Sequence, residues 1–191
     1  MSKKTKEKIF NTTLKIISSE GIKGITIRKI ARISDVNIAL INYHYKSKEN
    51  LINESLKLFG KKMETIFTEL DRLPLPPKEK LKHFLLSFSD LQIEYPGFMQ
   101  GQIERIFHGK NMNPKAAKNM KSGKIILLKI LKAITKQESE EKLSMTLFQL
   151  MSGIIFPILY GRYVEKIYEF DFKDHKTRER FITLAIENIC I

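Results

Sequence analysis

Apolar residues recur every three or four positions along most of the chain, which is the period of an amphipathic α-helix. No run of residues alternates strictly between apolar and polar, so the pattern predicts no β-strand. The first helix has its apolar stripe at Ile9, Phe10, Leu14 and Ile17, and we expect it to end in left-handed backbone at Gly21. Over its whole length the pattern predicts an all-α protein of about nine helices.

Three helices follow, and each is preceded by a polar residue suited to capping its N-terminus. We expect Thr26 to cap the second helix, Asn37 the third and Ser47 the fourth. A turn at Ser34-Asp35 is all that separates the second helix from the third. Two short helices joined in this way are typical of the helix-turn-helix motif, whose second helix enters the major groove of DNA.

The rest of the chain is predicted to be helical as well. The fourth helix should run from Lys48 to about Asp71, and three more helices follow before residue 138. The last two are predicted from about Ser139 to Phe170 and from about Lys173 to Ile189. We divide the chain into an N-terminal three-helix domain, residues 1–50, and a larger helical domain, residues 51–191, because the basic bias fades and the aromatic content rises within the fourth helix.

Composition and charge agree with a globular protein that binds an anion. The 191 residues are 42% hydrophobic and 29% charged, which is typical of a soluble, folded chain. The net charge is +13, and residues 1–62 hold 14 Lys/Arg against 5 Asp/Glu, whereas the remaining 129 residues hold 20 against 16. This concentration at one end indicates that the N-terminal part binds a polyanion.

The chain has features of a cytoplasmic protein. A single cysteine, Cys190, cannot form an internal disulfide, which favours a reducing compartment. The N-terminal MSKKTKEK has no apolar region typical of a signal peptide. The longest apolar stretch, residues 143–161, is interrupted by Gln149 and Pro157, so we interpret it as a buried or interface helix and expect no membrane partner.

The third helix has one apolar and one mixed side. We expect Ile41 and Tyr45 to pack inward against Ile30 and Ala31 of the second helix. The outward residues would then be Asn37, Ile38, Ala39, Asn42, Tyr43 and His44. An Asn amide can read adenine and small apolar groups can contact thymine methyls, whereas Tyr, His and the nearby Lys48 suit phosphate oxygens.

Several of these residues stand at spacings that resemble the N-terminal signature of the TetR family of bacterial transcriptional regulators, over about residues 8–55. The matching positions are Thr26, Ile30-Ala31, Val36, Ile41, Tyr43-His44-Tyr45 and Ser47-Lys48-Glu49-x-Leu51. The chain departs from the family in having Asp35 where Gly is common in the turn and Tyr45 where Phe is usual. Asn42 stands where a phosphate-binding Tyr is frequent, so either Asn42 or its neighbour Tyr43 contacts the base.

The resemblance implies a homodimer that places two recognition helices on a palindromic double-stranded operator. It also implies a repressor, in which a small, largely apolar effector enters the C-terminal domain, tilts the fourth helix and releases DNA. The DNA-binding residues are expected to be Thr26, Arg28, Asn37, Ile38, Ala39, Asn42, Tyr43, His44 and Lys48.

Two further groups of residues are expected in the C-terminal domain. The effector pocket would be lined by Met63, Phe67, Phe84, Phe88, Tyr95, Phe98, Gln102 and Met120, although each could equally be ordinary core. The resemblance implies dimerisation through the last two helices, for which the candidate residues are Leu147, Leu150, Met151, Ile154, Ile158, Phe181, Ile182 and Ile186. The alternative for this apolar stretch is the buried central helix of a monomer.

Other classes of function are less favoured by the sequence. It has no nucleophile elbow, phosphate-binding glycine loop or zinc-protease motif, so we expect neither an enzyme nor a cofactor. Glu104 and His108 share a helix face, but no third ligand stands at a supporting spacing, so no metal site is expected. The alternative function is a basic helical protein–protein adaptor without sequence-specific DNA binding.

Overall fold

The computed structural model describes residues 2–109 and 114–190, and all regular structure within them is helical, as predicted. The described residues form ten α-helices and a single 3₁₀ turn, Ile22–Gly24, between the first two. The helices are α1 Lys3–Glu20, α2 Ile27–Ser34, α3 Ile38–Tyr45, α4 Lys48–Arg72, α5 Pro77–Glu94, α6 Pro96–Phe107, α7 Pro114–Thr135, α8 Glu140–Leu159, α9 Gly161–Tyr168 and α10 His175–Glu187.

The helices are grouped into two compact units. Unit 1 comprises Met1–Lys61 with Tyr95–Ala116, and unit 2 comprises Lys62–Glu94 with Ala117–Ile191. The sequence-based division at residue 50 assigns the segment of α6 to the C-terminal domain, whereas in the structure α6 belongs to unit 1 with the N-terminal helices.

Glycines explain why α6 packs on α1. A Cβ atom placed on Gly97 would lie 2.0 Å from the carbonyl oxygen of Leu14, so the two helix backbones touch at this point. One turn later, a Cβ on Gly101 would lie 3.2 Å from Cγ2 of Ile17. Only glycine permits the backbone contact at Gly97, whereas a Cβ at Gly101 would be a tight fit that a small shift of Ile17 could relieve. The close crossing of α1 and α6 therefore depends chiefly on Gly97.

The core of unit 1 combines the predicted α1 stripe with aromatic side chains. Ile9 and Leu14 are at most 1% exposed. The rings of Phe59 and Phe98 stack with centroids 3.5 Å apart, and Tyr95 packs against Phe10 at 5.3 Å. The aromatic pairs therefore join α1, α4 and α6 in one core.

The core of unit 2 is built around α5, which packs against α8 and α10. Arg178 of α10 is 4% exposed, and its guanidinium donates to the carbonyl oxygens of Phe172 at 3.0 Å and Lys173 at 2.9 Å. The same guanidinium forms an ion pair with Asp90 of α5. A buried cation is thus held by several acceptors at once, which offsets the cost of its desolvation.

Two details differ from the sequence expectation. The predicted helix over residues 139–170 is two helices: α8 continues through Pro157 to Leu159, and the chain leaves the helical conformation at Tyr160, at φ −109° and ψ 25°, before α9 begins. Gly21 has φ 72° and ψ 178°, so it ends α1 in an extended conformation open to glycine rather than in the left-handed helical region.

Candidate nucleic-acid interface

The second helix is fixed at both ends and along one side. Thr26 caps it, with its Oγ1 accepting from the backbone N–H of Lys29 at 3.1 Å. Ile30 and Ala31 are buried, and the buried Ser34 donates its hydroxyl proton to the Ile30 carbonyl at 2.6 Å. These contacts make α2 the support on which the next helix rests.

The turn between α2 and α3 is formed without glycine. Asp35 is in the left-handed region, at φ 49° and ψ 51°, and the N–H of Val36 donates to the carbonyl of Ala31 at 3.0 Å. Asp tolerates this conformation better than most residues, which is why the sequence can depart from Gly here and keep the turn.

The third helix is short and is anchored by a single buried side chain. Asn37 caps it, with Oδ1 accepting from the N–H of Ala39 at 2.7 Å, and Ile41 is fully buried. Of the residues expected to face outward, all are exposed except His44, which is half-buried; the exposed ones are Asn37, Ile38, Ala39, Asn42 and Tyr43.

Tyr43 is the most exposed of the large apolar side chains on this surface. It is 78% exposed, and the ring of His44 meets it edge to face with centroids 5.1 Å apart. The imidazole therefore braces the phenol ring while leaving its hydroxyl free to reach an anion or a base.

Tyr45, expected to close the core beside Ile41, is only half-buried. Partial burial raises the pKa of its hydroxyl, and the carboxylate of Glu54 raises that pKa further. The phenol therefore stays neutral at physiological pH.

Two apolar residues that the sequence pattern does not assign to this surface are also exposed, Leu40 at 37% and Ile33 at 50%. Their exposure could not be predicted, because an apolar residue at these positions would ordinarily be expected in the core.

The joint between α3 and α4 is strained. Lys46 has φ 61° and ψ −39°, a region that side chains rarely adopt. Ser47 caps α4 as predicted, with its Oγ accepting from the N–H of Asn50 at 3.0 Å, and the Asn50 side chain donates to the carbonyl of Tyr45 at 2.9 Å. This joint places Lys48 in the first turn of α4, where free N–H groups and the helix dipole favour an anion.

Other cations near the motif differ in their availability. Lys29 forms an ion pair with Glu20, whereas Arg28 is exposed in the first turn of α2. The neutral cap residue Thr26 is exposed as well. Glu104 of α6 accepts from the N–H of Ile22 at 2.7 Å, so its carboxylate fastens α6 to the turn before α2.

In the part of the chain that the structure describes, no three His, Cys, Asp or Glu residues are grouped to hold a metal ion.

The eight residues expected to line an effector pocket are divided between the units. Unit 2 holds Met63, Phe67, Phe84, Phe88 and Met120, and unit 1 holds Tyr95, Phe98 and Gln102. In unit 2 the rings of Phe67 and Phe84 stack at 5.3 Å, and those of Phe84 and Phe88 at 6.0 Å, whereas Met120 is 59% exposed.

One polar residue on the same helix as Phe84 and Phe88 is absent from the sequence-based prediction of the pocket. Gln92 of α5 is 1% exposed, and its Oε1 has no hydrogen-bond partner among the described residues. The sequence could have indicated this residue, since Gln92 stands four residues after Phe88 on the apolar stripe of α5.

A separate surface hollow of about 340 Å³ lies between α5 and α10, with a mostly charged lining of Lys82, Glu179, Arg180, Thr183, Leu184 and Glu187.

The residues expected at a dimer interface are mostly internal to unit 2. Five are buried within the chain itself, namely Leu147, Leu150, Ile154, Ile182 and Ile186, and three are half-buried, namely Met151, Ile158 and Phe181. The opposite side of α8 exposes Met145, Phe148 and Phe156. Among the described residues, α8 is also the one helix long and apolar enough to cross a membrane, a test that core and interface helices of soluble proteins pass as well.

Comparison with known proteins adds a family to this geometry. Residues 9–55 match the family described as "Bacterial regulatory proteins, tetR family". Over 69 residues, 34% of this chain and 33% of the relative, the sequence is 35% identical to "Probable HTH-type transcriptional regulator YttP" of Bacillus subtilis (strain 168). The match thus spans about a third of that curated relative's length.

Solved structures extend the likeness to the whole fold. The TetR family transcriptional regulator PfmR from Thermus thermophilus superimposes with a TM-score of 0.70 at 16% identity, over 94% of this chain and 97% of that one. A TetR-like transcriptional regulator from Rhodococcus sp. RHA1 does so with a TM-score of 0.69 at 10% identity, over 96% and 94%. At these identities the likeness shows the fold, which agrees with the sequence expectation.

Proposed function

By its N-terminal domain the chain belongs to the tetR family of bacterial regulatory proteins, and we propose on that premise that it is a cytoplasmic, homodimeric transcriptional repressor. It binds a palindromic operator and is released by a small, largely apolar molecule. The observation that carries this proposal is α3, a capped helix that exposes amide, ring and apolar groups while a single residue, Ile41, anchors it. Such a helix suits the major groove, where all three kinds of group have partners.

Within that surface, Asn42 takes the base and Tyr43 the phosphate. The amide of Asn42 matches the donor and acceptor that adenine presents in the major groove. Tyr43 is 78% exposed and is braced by His44, so its hydroxyl suits a phosphate oxygen at the edge of the groove. Lys48 adds a point charge beside the exposed N–H groups that open α4.

Operator selection from a pool of random duplexes tests this assignment. Asn42→Ala should lose preference at one or two base positions, at about 1–3 kcal/mol each. Tyr43→Phe, which removes only the hydroxyl, should weaken all duplexes alike and leave the preferred sequence unchanged. The assignment is wrong if Tyr43→Phe shifts a base preference and Asn42→Ala does not. Equal binding of every duplex by the unmodified protein would instead favour the basic adaptor.

The apolar effector is proposed to bind in unit 2 near the row Phe67, Phe84 and Phe88, with Gln92 as the polar contact. A buried amide oxygen without a partner costs free energy, so a ligand that donates a hydrogen bond to it would be favoured. We expect a panel of aliphatic and aromatic alcohols to contain compounds that raise the melting temperature.

The matched variant for this contact is Gln92→Leu, which keeps the volume and removes the acceptor. It should bind the alcohol hits more weakly, by about tenfold for the loss of one buried hydrogen bond. It should bind the corresponding hydrocarbons as the unmodified protein does. An unchanged response to the alcohols would place the polar contact of the effector elsewhere.

A further inference from the structure

Helix α7 carries a concentration of positive charge that is separate from the helix-turn-helix motif. Residues 110–137 contain eight lysines and no acidic residue. The other residues from position 63 to the C-terminus hold 12 Lys/Arg against 16 Asp/Glu, so the excess charge of the C-terminal part of the chain lies entirely in this segment.

Four of these lysines share one exposed face of α7. At the α-helical rotation per residue they fall within an arc of about 80°, with the 57% exposed Ile125 at its centre. We name this face the α7 lysine row, and it consists of Lys118, Lys121, Lys129 and Lys132. At the α-helical rise its length from first to last is about 21 Å.

The row is largely free of compensating charge. Lys132 pairs with Glu138 at the end of the row, and none of the other three forms an ion pair among the described residues. The opposite side of α7 is buried through Leu127, Ile130 and Leu131, so unit 2 holds the helix in place. A fixed row of like charges repels itself and favours an anionic partner of similar length.

We propose that the α7 lysine row binds the phosphate backbone of double-stranded DNA without regard to sequence. Lysine ammonium groups on flexible stems are suited to phosphate oxygens and carry no base preference. A row of about 21 Å matches the length of about six base pairs, along which phosphates are closely spaced. An anionic membrane is less suited, since the apolar face of α7 is already buried in unit 2 and cannot insert.

The inference rests on the proposed function only because both take double-stranded DNA as the partner. It concerns a second, sequence-independent surface in unit 2, and its test needs no operator. The full chain is titrated with a 24-base-pair duplex lacking any selected operator half-site, over a range of KCl concentrations. The variant combines Lys118→Gln, Lys121→Gln and Lys129→Gln; its control combines Lys142→Gln, Lys166→Gln and Lys176→Gln, exposed lysines on other helices of unit 2.

The row variant should flatten the slope of log K against log salt by about 2.7, because each phosphate contact contributes about 0.9. The control, with the same change in net charge, should leave the slope near that of the unmodified protein. Replacing the same three row lysines by arginine keeps the charge and should keep the slope, which separates charge from any change in folding.

Equal slopes for the row variant and its control would overturn the proposal. So would a row variant that loses binding to vesicles containing phosphatidylserine while its DNA slope stays unchanged, since that result assigns the row to a membrane. Failure of the proposed function looks different: the unmodified protein would then show no preference for any selected operator over random duplex. If the unmodified protein prefers its operator and the row variant keeps the salt slope of the unmodified protein, only the proposed role of the α7 lysine row is rejected.

Discussion

Helices α3 and α8 both expose apolar side chains, but the residues around those side chains differ in polarity. On α3, exposed Ile38 and Tyr43 are interleaved with amide and imidazole groups, and the helix is eight residues long. On α8, exposed Phe148 and Phe156 stand in a stretch, residues 143–161, that contains no charged residue. The first surface suits a partner that presents polar and apolar groups together, as a base edge does, and the second suits a partner that is itself apolar.

The two helices also differ in how firmly they are held. α3 has one buried side chain, Ile41, and depends on its cap and on the turn before it. α8 is buried along its length through Leu143, Leu147, Leu150, Ile154 and Pro157. The weakly held α3 and the strongly held α8 should therefore respond differently to the loss of one buried side chain.

Truncation of an anchor should produce the largest difference. Ile41→Ala removes the only buried side chain of α3 and should lower the free energy of unfolding by about 2–5 kcal/mol. Operator binding should be lost with it while the oligomeric state stays the same. Ile154→Ala is the matched change on α8, where the neighbouring buried residues should keep the helix in place and DNA binding measurable. Denaturant unfolding and duplex titration check both variants. Retained operator affinity in Ile41→Ala would contradict the single-anchor account.

A charge on the exposed side of α8 should have the next largest effect. We propose that this side is the dimer contact, so Phe148→Asp should weaken dimerisation by at least about 30-fold, the effect of losing a hot spot of about 2 kcal/mol. Tyr168→Asp, on a 61% exposed side chain of α9, is the control and should leave the dimer intact. Sedimentation velocity over a concentration series distinguishes them. Dimers that persist in Phe148→Asp would place the interface on another surface.

The smallest effect concerns Tyr45, at the boundary between the buried and exposed sides of α3. Because burial, and then Glu54, raise the pKa of its hydroxyl above the unfolded value, its contribution to stability is complete below that value. The contribution is lost as pH rises through the folded pKa. Unfolding measured from about pH 8 to about pH 11, a range that spans the ordinary tyrosine pKa, should therefore show stability falling more steeply in the unmodified protein than in Tyr45→Phe. Parallel curves would mean that the hydroxyl is solvated in the folded state.

Local features of the helix-turn-helix motif could be predicted from the sequence because they depend on neighbouring residues. The caps at Thr26, Asn37 and Ser47 each use a side chain within three positions of the N–H it accepts from, and all three predictions are confirmed. The turn at Asp35 likewise follows from the conformational range of a single residue.

Features that depend on distant contacts could not be predicted. Gly97 and Gly101 are meaningful only once α1 lies against them, so no local pattern indicates that α6 joins unit 1. On α8 the periodicity marks an apolar stripe, but both sides of this helix are apolar. The residues predicted for an interface, such as Ile154, therefore lie on the side that unit 2 itself covers, and no signal in the sequence distinguishes the exposed side.

Competition between a selected operator and its scrambled duplex tests the central claim, that α3 reads a specific sequence, most directly. At physiological salt the full chain should prefer the operator by a factor of about 10³ or more. Asn42→Ala should reduce that ratio through the operator affinity alone, with binding of the scrambled duplex unchanged. A ratio near one for the unmodified protein at every salt concentration would contradict the account.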